Sequence, residues 1–319
     1  MRRRTLFLVL SVAAPVAALA QPYPSKPIRI IVPFSAATAA DIAARQLGPL
    51  MAPLIGQSFV IENQLGAGGN IGAASVAKAE PDGYTLMMVG INHVINPFLY
   101  KKMPFDPVKD FVPVSKAASA PLVLVVHPSV PSKTLPELIE WLKGRKEGTN
   151  YASSGTGGAQ HLAGESFRAL TGTNLVHVPY KGGAPAMTDL LGGQVPMLFS
   201  SLSPVVGPLK AGKLRALAVT SPKRSGAFPD VPTMDELGLK GFDSTGWFEV
   251  VGPAGMPPEV VNRLSQALLK AGEDKSLQDQ YRQTGCDAEF LTPAQTLDKL
   301  KADHAKWGKV IKDANIKAE

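Results

Sequence analysis

Lys26–Arg45 reads KPIRIIVPFSAATAADIAAR, and Thr149–Glu165 reads TNYASSGTGGAQHLAGE. Each is a β-rich run, then a loop of small residues, then a helical pattern. In the first, the strand ends at Phe34, the loop runs from Ser35 to Ala40, and a helix begins near Asp41. In the second, the strand ends near Ser153, the loop covers 154–159, and a helix begins near Gln160. A strand followed by a helix start aims free backbone N–H groups and a positive helix end at the strand's carboxyl edge. The hydroxyls of Ser35, Thr38, Ser153, Ser154 and Thr156 add donors, and no bulky side chain blocks approach. The bland alternative is that small-residue loops simply join strands to helices.

Working outward, the same alternation continues. Strands are predicted at 58–62, 84–89, 122–127, 174–179, 195–199 and 214–220. Helices are predicted near 71–79, 135–143 and 184–191, and the tail is helix-rich at 257–271, 275–284 and 293–313. Such alternation predicts mainly parallel sheets covered on both faces. The 319 residues set a prior of two domains. No long linker separates two lobes, so the chain is expected to cross more than once, near 115–122 and 220–228. The expected division is 1–20 as a leader, 21–118 plus 225–319 as lobe 1, and 119–224 as lobe 2. Ligands of open α/β sheets bind outside the strands' carboxyl ends, so two facing lobes form a cleft.

The first twenty residues read MRRRTLFLVLSVAAPVAALA. Arg2–Arg4 form a charged start, an apolar stretch follows, and Ala18-Leu19-Ala20 is an A-x-A cleavage site before Gln21. The expectation is a cleaved export signal and a periplasmic protein. The arginine pair fits a twin-arginine signal or an ordinary one equally well. Loss of these three arginines lowers the net charge from +7 to +4. The remaining Lys and Arg are scattered without aromatic interleaving, which argues against nucleic acid. One cysteine, Cys286, excludes an internal disulfide and any cysteine-rich metal site.

Other motifs point less far. GAGGN (Gly66–Asn70) lacks the Lys-Ser/Thr of a phosphate loop and reads as a tight turn whose residues reach the cleft. The five histidines show no short metal spacing and read mostly as structural; His161, beside the second loop, and His93 are the two candidates among them. No GxSxG elbow occurs. No metal or cofactor is expected. Asp41 either caps its helix, orients a bound water or meets a positive group of the ligand.

Eight ordered segments resemble one family: YPSKPIRIIVPF, VIENQLGAGGNIGA, AEPDGYTL, INPFLYKKMPFDPVKDF, NYASSGTGGAQHLAGE, VHVPYKGGAPAMTDLLGGQV, KAGKLRALAVTSPKRS and AKWGKVIK. They resemble the Bug family, the extracytoplasmic solute receptors of tripartite tricarboxylate transporters, from about residue 22 to the C-terminus. The resemblance implies a two-lobed α/β fold of the type II periplasmic-binding-protein kind, with one ligand between the lobes. It implies carboxylates held by the loop after the first strand and by the loop before HLAGE. It also implies delivery to integral-membrane permease subunits without chemistry. The receptor itself is expected to be a monomer.

Two departures stand out. Where the family has a Pro-Gly-Gly-like centre in the first loop, this chain has Ala36-Ala37-Thr38, which restricts positive-φ conformations. Where the family often has an acid after the Gly-Gly-Gln-Val strand, this chain has Ser200-Ser201, removing a partner for an ammonium. Both favour a dicarboxylate without an ammonium group, aromatic like terephthalate or linear like adipate. Phe34 and Trp247 are either contacts for its middle or core residues. The candidate ligand contacts are Phe34, Ser35, Ala36, Ala37, Thr38, Ala39, Asp41, Asn92, Ser153, Ser154, Gly155, Thr156, Gly157, His161, Ser200, Ser201 and Trp247. A helix-end charge is worth up to about 2 kcal/mol, whereas micromolar binding needs about 8 kcal/mol. Desolvation on lobe closure must supply the rest. The competing readings are a ligand-sensing module for a membrane kinase and, more remotely, an enzyme of small carboxylates.

Overall fold

A computed structural model describes residues 23–317. The expected leader, 1–20, lies outside the described residues. The chain begins with β1 (Ile28–Val32), α1 (Ala39–Ile55), β2 (Phe59–Asn63), α2 (Asn70–Ala77), β3 (Thr85–Gly90), α3 (Asn92–Leu99) and β4 (Phe111–Ala120). It continues with β5 (Leu122–Val126), α4 (Leu135–Lys143), β6 (Thr149–Ser153), α5 (Ala159–Thr171), β7 (Leu175–Pro179), α6 (Gly183–Leu191), β8 (Met197–Ser201), α7 (Val206–Lys210) and β9 (Arg215–Val219). It ends with β10 (Gly246–Pro253), α8 (Pro258–Ala271), α9 (Lys275–Gln283), β11 (Asp287–Ala288) and α10 (Pro293–Asp313).

Two sheets result. One runs β11-β4-β10-β3-β1-β2 and the other β7-β6-β8-β5-β9. Period-2 alternation places alternate residues of a strand on opposite faces. Thus Ile28, Ile30 and Val32 enter one core of the first sheet while Ile31 enters the core on its other face. In the second sheet Leu122, Leu124 and Val126 face one core, and Val123 and Val125 the other. Strands buried on both faces read as unbroken apolar runs, as IRIIV and LVLVV do.

The expectation of mainly parallel sheets holds only for the strands joined through helices. β1, β2 and β3 pair in parallel, as do β6, β7 and β8. The strands that carry the chain between lobes pair antiparallel: β10 with β3 and β4, and β5 with β8 and β9. The chain passes from the first sheet to the second between Ala120, the end of β4, and Leu122, the start of β5. The return comes at Ser244–Gly246 rather than near 225. Residues 231–242 stay with the second sheet because Val219 bridges Thr233, and Met234 and Phe242 fill its core. β4, β10 and α3 carry no clear strand or helix pattern in the sequence. Pro113 and Lys116 interrupt β4, a buried Glu249 interrupts β10, and Pro97 interrupts α3. Among the described residues, no helix is long and apolar enough to cross a membrane.

Candidate functional site

β1, β2 and β3 run parallel, so their carboxyl ends share one edge; β6, β7 and β8 do the same in the second lobe. At these edges lies a cleft of about 730 Å³. The first lobe lines it with Gly68, Asn92, Asn96, Leu99, Tyr100 and Lys101. The second lines it with Gly155–Gly158 and Pro179–Lys181. A smaller recess beside Phe34 shares Gly68, Asn92 and Asn96 with it. The lobes meet here: a Cβ on Gly157 would sit 2.4 Å from Leu99 Cδ1, and φ there is +76°. Only glycine fits that position.

The loop before α5 is held from below. Ser153 is fully buried, and its Oγ pairs with His177 Nε2 at 2.6 Å, donates to Gly155 O and accepts from Gly155 N–H. The Ser154 N–H donates to Gln160 Oε1 at 2.8 Å, and Gly157 N–H donates to His161 Nδ1 at 3.0 Å. His161 stacks on His177 with ring centroids 3.6 Å apart. Burial lowers the pKa of both rings; a neighbouring ring lowers His177 further, to about 4. His161 therefore stays neutral and its Nδ1 lone pair remains an acceptor. Glu165 lies beyond, 3.9 Å from His161 Nε2, and accepts from Tyr151 Oη and Arg168 Nε. Ser153 and His161 shape the loop; Gly155, Thr156 and Gly157 face the cleft.

The first loop is wound on itself. Thr38 Oγ1 and N–H both donate to Ser35 O. Asp41 is 2 % exposed and accepts from the N–H of Ala37 at 2.9 Å, from Arg45 Nε and from Asn63 Nδ2. Burial would raise its pKa, but the hydrogen bonds from Arg45, Asn63 and Ala37 outweigh this and hold it below the usual carboxylate range. Asp41 does not cap α1, whose N-cap position is Thr38; it lies in the first turn with its oxygens committed to Ala37, Arg45 and Asn63. Ser35, Ala36, Ala37 and Thr38 are exposed and Ala39 half-buried, but none of these five lines the cleft. Phe34 packs edge-to-face on Phe248 at 6.4 Å while bordering the recess.

Trp247 is a correction: it is 1 % exposed within the first lobe's core, and its Nε1–H donates to Asp303 Oδ2 at 2.8 Å, leaving no face for a ligand. Ser200 is buried opposite Val123 and Ser201 is exposed opposite Leu122; neither lines the cleft. His93 is buried between Phe105 and Phe111, donates to or accepts nothing from the cleft, and pairs with Pro107 O. Asn92 lines both the cleft and the recess. Asn96, Leu99, Tyr100, Lys101 and Pro179–Lys181 were missed. The strand-end rule that selected Ser153 would also have selected Pro179–Lys181, because β6 and β7 end side by side at Ser153 and Pro179. Gly68 carries the GAGGN turn into the cleft, with Asn96 Nδ2 donating to its carbonyl at 3.0 Å.

Two lobes, two chain crossings and a cleft at facing strand ends define a two-lobed solute receptor. The chain belongs to the tripartite tricarboxylate transporter receptor family, whose description, "Tripartite tricarboxylate transporter family receptor", matches residues 43–316. It is 35 % identical to BugT of Bordetella pertussis over 96 % of this chain and 94 % of that one. An R. palustris protein, Rpa4515, solved with adipate, is 34 % identical with a TM-score of 0.77, covering 92 % of this chain and 99 % of that one. MatC of Rhodopseudomonas palustris, solved with bound malate, is 29 % identical with a TM-score of 0.72, covering 91 % and 100 %. These are solute-binding receptors rather than enzymes, and this chain shares their fold and family.

Proposed function

We propose that this protein, exported through a cleaved leader, captures a dicarboxylate without an ammonium group in its interlobe cleft as a monomer and delivers it to tripartite-transporter permease subunits. The observation that carries this reading is the cleft itself: both lobes contribute to its lining, and none of the lining residues is acidic. An amino acid's ammonium would find no carboxylate partner there, whereas a carboxylate would meet hydroxyls, amides and lysines. The start of α5 adds the N–H groups of Thr156 and Gly158 on one wall, those of Gly155 and Gly157 being held by Ser153 and His161. Adipate and malate, bound by two relatives, are both dicarboxylates lacking an ammonium. Terephthalate remains in the same class, with its ring set against Phe34 and Leu99.

Calorimetric titration of refolded, ligand-free protein with adipate, terephthalate, malate, glutamate and benzoate tests this. Adipate or terephthalate is expected to bind at micromolar or tighter Kd, with benzoate silent and glutamate at least about tenfold weaker, one unit of about 1.4 kcal/mol. Glutamate binding more tightly than every ammonium-free dicarboxylate overturns the reading. Thr156→Glu, which places a carboxylate in the cleft, is expected to abolish binding while leaving the unfolding transition in place.

A further inference from the structure

The two walls of the cleft each carry one lysine: Lys101, just past α3 in the first lobe, and Lys181, just past β7 in the second. Both are exposed, and among the described residues neither forms an ion pair. Lys116, Lys299, Lys306 and Lys309, in contrast, are each tied to a carboxylate. Each cleft lysine follows a tyrosine that is itself placed. Tyr180 donates to Asp189 Oδ2 at 2.7 Å, and the Tyr100 hydroxyl lies against Gly68, where a Cβ would come within 2.7 Å of it.

The first loop, meanwhile, does not line the cleft and spends part of its donor set internally. The Ala37 N–H is held by Asp41, and the Thr38 hydroxyl by Ser35 O. A dianion in this cleft therefore needs positive charge from another source. We infer that Lys101 and Lys181 are the charge-reading pair of the site, one per lobe, and that they make it select dianions over monoanions. This inference rests on the proposed dicarboxylate reading.

Two like charges lining one cleft repel, and the repulsion grows as closure expels water and lowers the effective dielectric. An empty cleft is thus biased toward opening. A dianion neutralises both lysines and removes the bias; a monoanion leaves one lysine unpaired in the closing cleft, at a desolvation cost. The lysines thereby couple ligand charge to lobe position. The coupling works through differential affinity for the closed state. Lys102, the next residue along, is exposed but does not line the cleft, and supplies an internal control.

The experiment measures Kd for adipate and for hexanoate, its monocarboxylate analogue, on the refolded ligand-free protein and on Lys101→Ala, Lys181→Ala, Lys102→Ala and the two Lys→Arg variants. Each cleft Lys→Ala change is expected to weaken adipate by about tenfold, the scale of one hydrogen bond to a charged group. It should also narrow the adipate-to-hexanoate ratio and flatten the loss of affinity with added salt. Lys→Arg should retain most affinity, and Lys102→Ala should match the unsubstituted protein. Unchanged adipate affinity and salt dependence in both cleft alanine variants, with adipate still bound tightly by the unsubstituted protein, overturns the lysine pair and leaves the receptor reading intact. An unsubstituted protein silent to every dicarboxylate overturns both.

Discussion

Ala37 adopts φ +63°, in the left-handed region that favours glycine. For an alanine the left-handed conformation costs about 1–2 kcal/mol. The turn persists because Asp41 accepts the Ala37 N–H and is itself fixed by Arg45 and Asn63. Ala37→Gly is therefore expected to raise stability by up to about 1 kcal/mol, the relieved strain being partly offset by a more flexible unfolded chain. Chemical denaturation checks this, and a loss of stability would place the strain elsewhere. Trp247 offers the complementary case. Trp247→Phe removes the N–H that Asp303 accepts while Lys299 and Lys306 remain paired with that carboxylate. A cost of about 1–2 kcal/mol is expected, with ligand affinity unchanged in calorimetry. A tenfold loss of affinity would return Trp247 to the binding site. The sequence quotes Trp247 beside Phe248 with no sign of which faces the cleft. Orientation follows from the register of β10 against β3 and β4, which pairs residues distant in the chain.

At the scale of elements, the β6–α5 unit was legible and its supports were not. A run of TNYAS followed by SGTGG and a helical pattern identifies a strand, an open loop and a helix start from local chemistry alone. That His177, from β7, would stack on His161 and brace Ser153 depends on the parallel pairing of β6 with β7. α3 escaped detection because NHVINPFL holds Pro97 and two asparagines, and its helix is stabilised by packing against α10. The stacked histidines make the unit acid-sensitive. Burial pushes His177 and His93 down to about 4 and lowers His161, whereas the unfolded chain takes up these protons near the ordinary histidine value. Below about pH 6.5 the unfolded state therefore binds more histidine protons, and the histidine contribution to stability falls until the folded values of His177 and His93, about 4, are passed. Protonated His161 also loses the lone pair that accepts the Gly157 N–H. The unfolding midpoint is expected to rise from about pH 8 toward 6.5, because burial raises Glu249 to about 8 and the folded state keeps its proton, and then to drop between about 6.5 and 4 as the histidines take over, with His177→Gln showing a shallower drop. A midpoint independent of pH across that window, or an equal slope in the variant, would contradict this.

At the scale of the whole molecule, the two crossings are stitched together by one buried side chain. Thr220, just past β9, is fully buried. Its Oγ1 accepts the Leu122 N–H at 2.9 Å and donates to Ser244 O at 3.0 Å, while its own N–H and C=O bond Leu122 O and Ser244 N. Leu122 begins the passage into the second lobe and Ser244 ends the passage out of it. Opposite, Gly246 packs so closely that a Cβ would approach Ala120 O to 3.1 Å. Any rotation of one lobe against the other must flex the chain at 120–122 and 244–246, so Thr220 holds the two strands of the hinge in step. Thr220→Val preserves shape but strands one buried N–H and one buried C=O. It is expected to cost about 2 kcal/mol or more. Because it removes two of the four hydrogen bonds that join the crossings, it should also weaken adipate several-fold, a change of less than about 1.4 kcal/mol, although Thr220 is absent from the cleft lining. Equilibrium unfolding and calorimetry on the same preparation separate the two effects. A loss of stability with unchanged Kd would confine Thr220 to folding, and weakened binding that tracks the lost hydrogen bonds would make the paired crossings the element through which ligand and lobe position communicate.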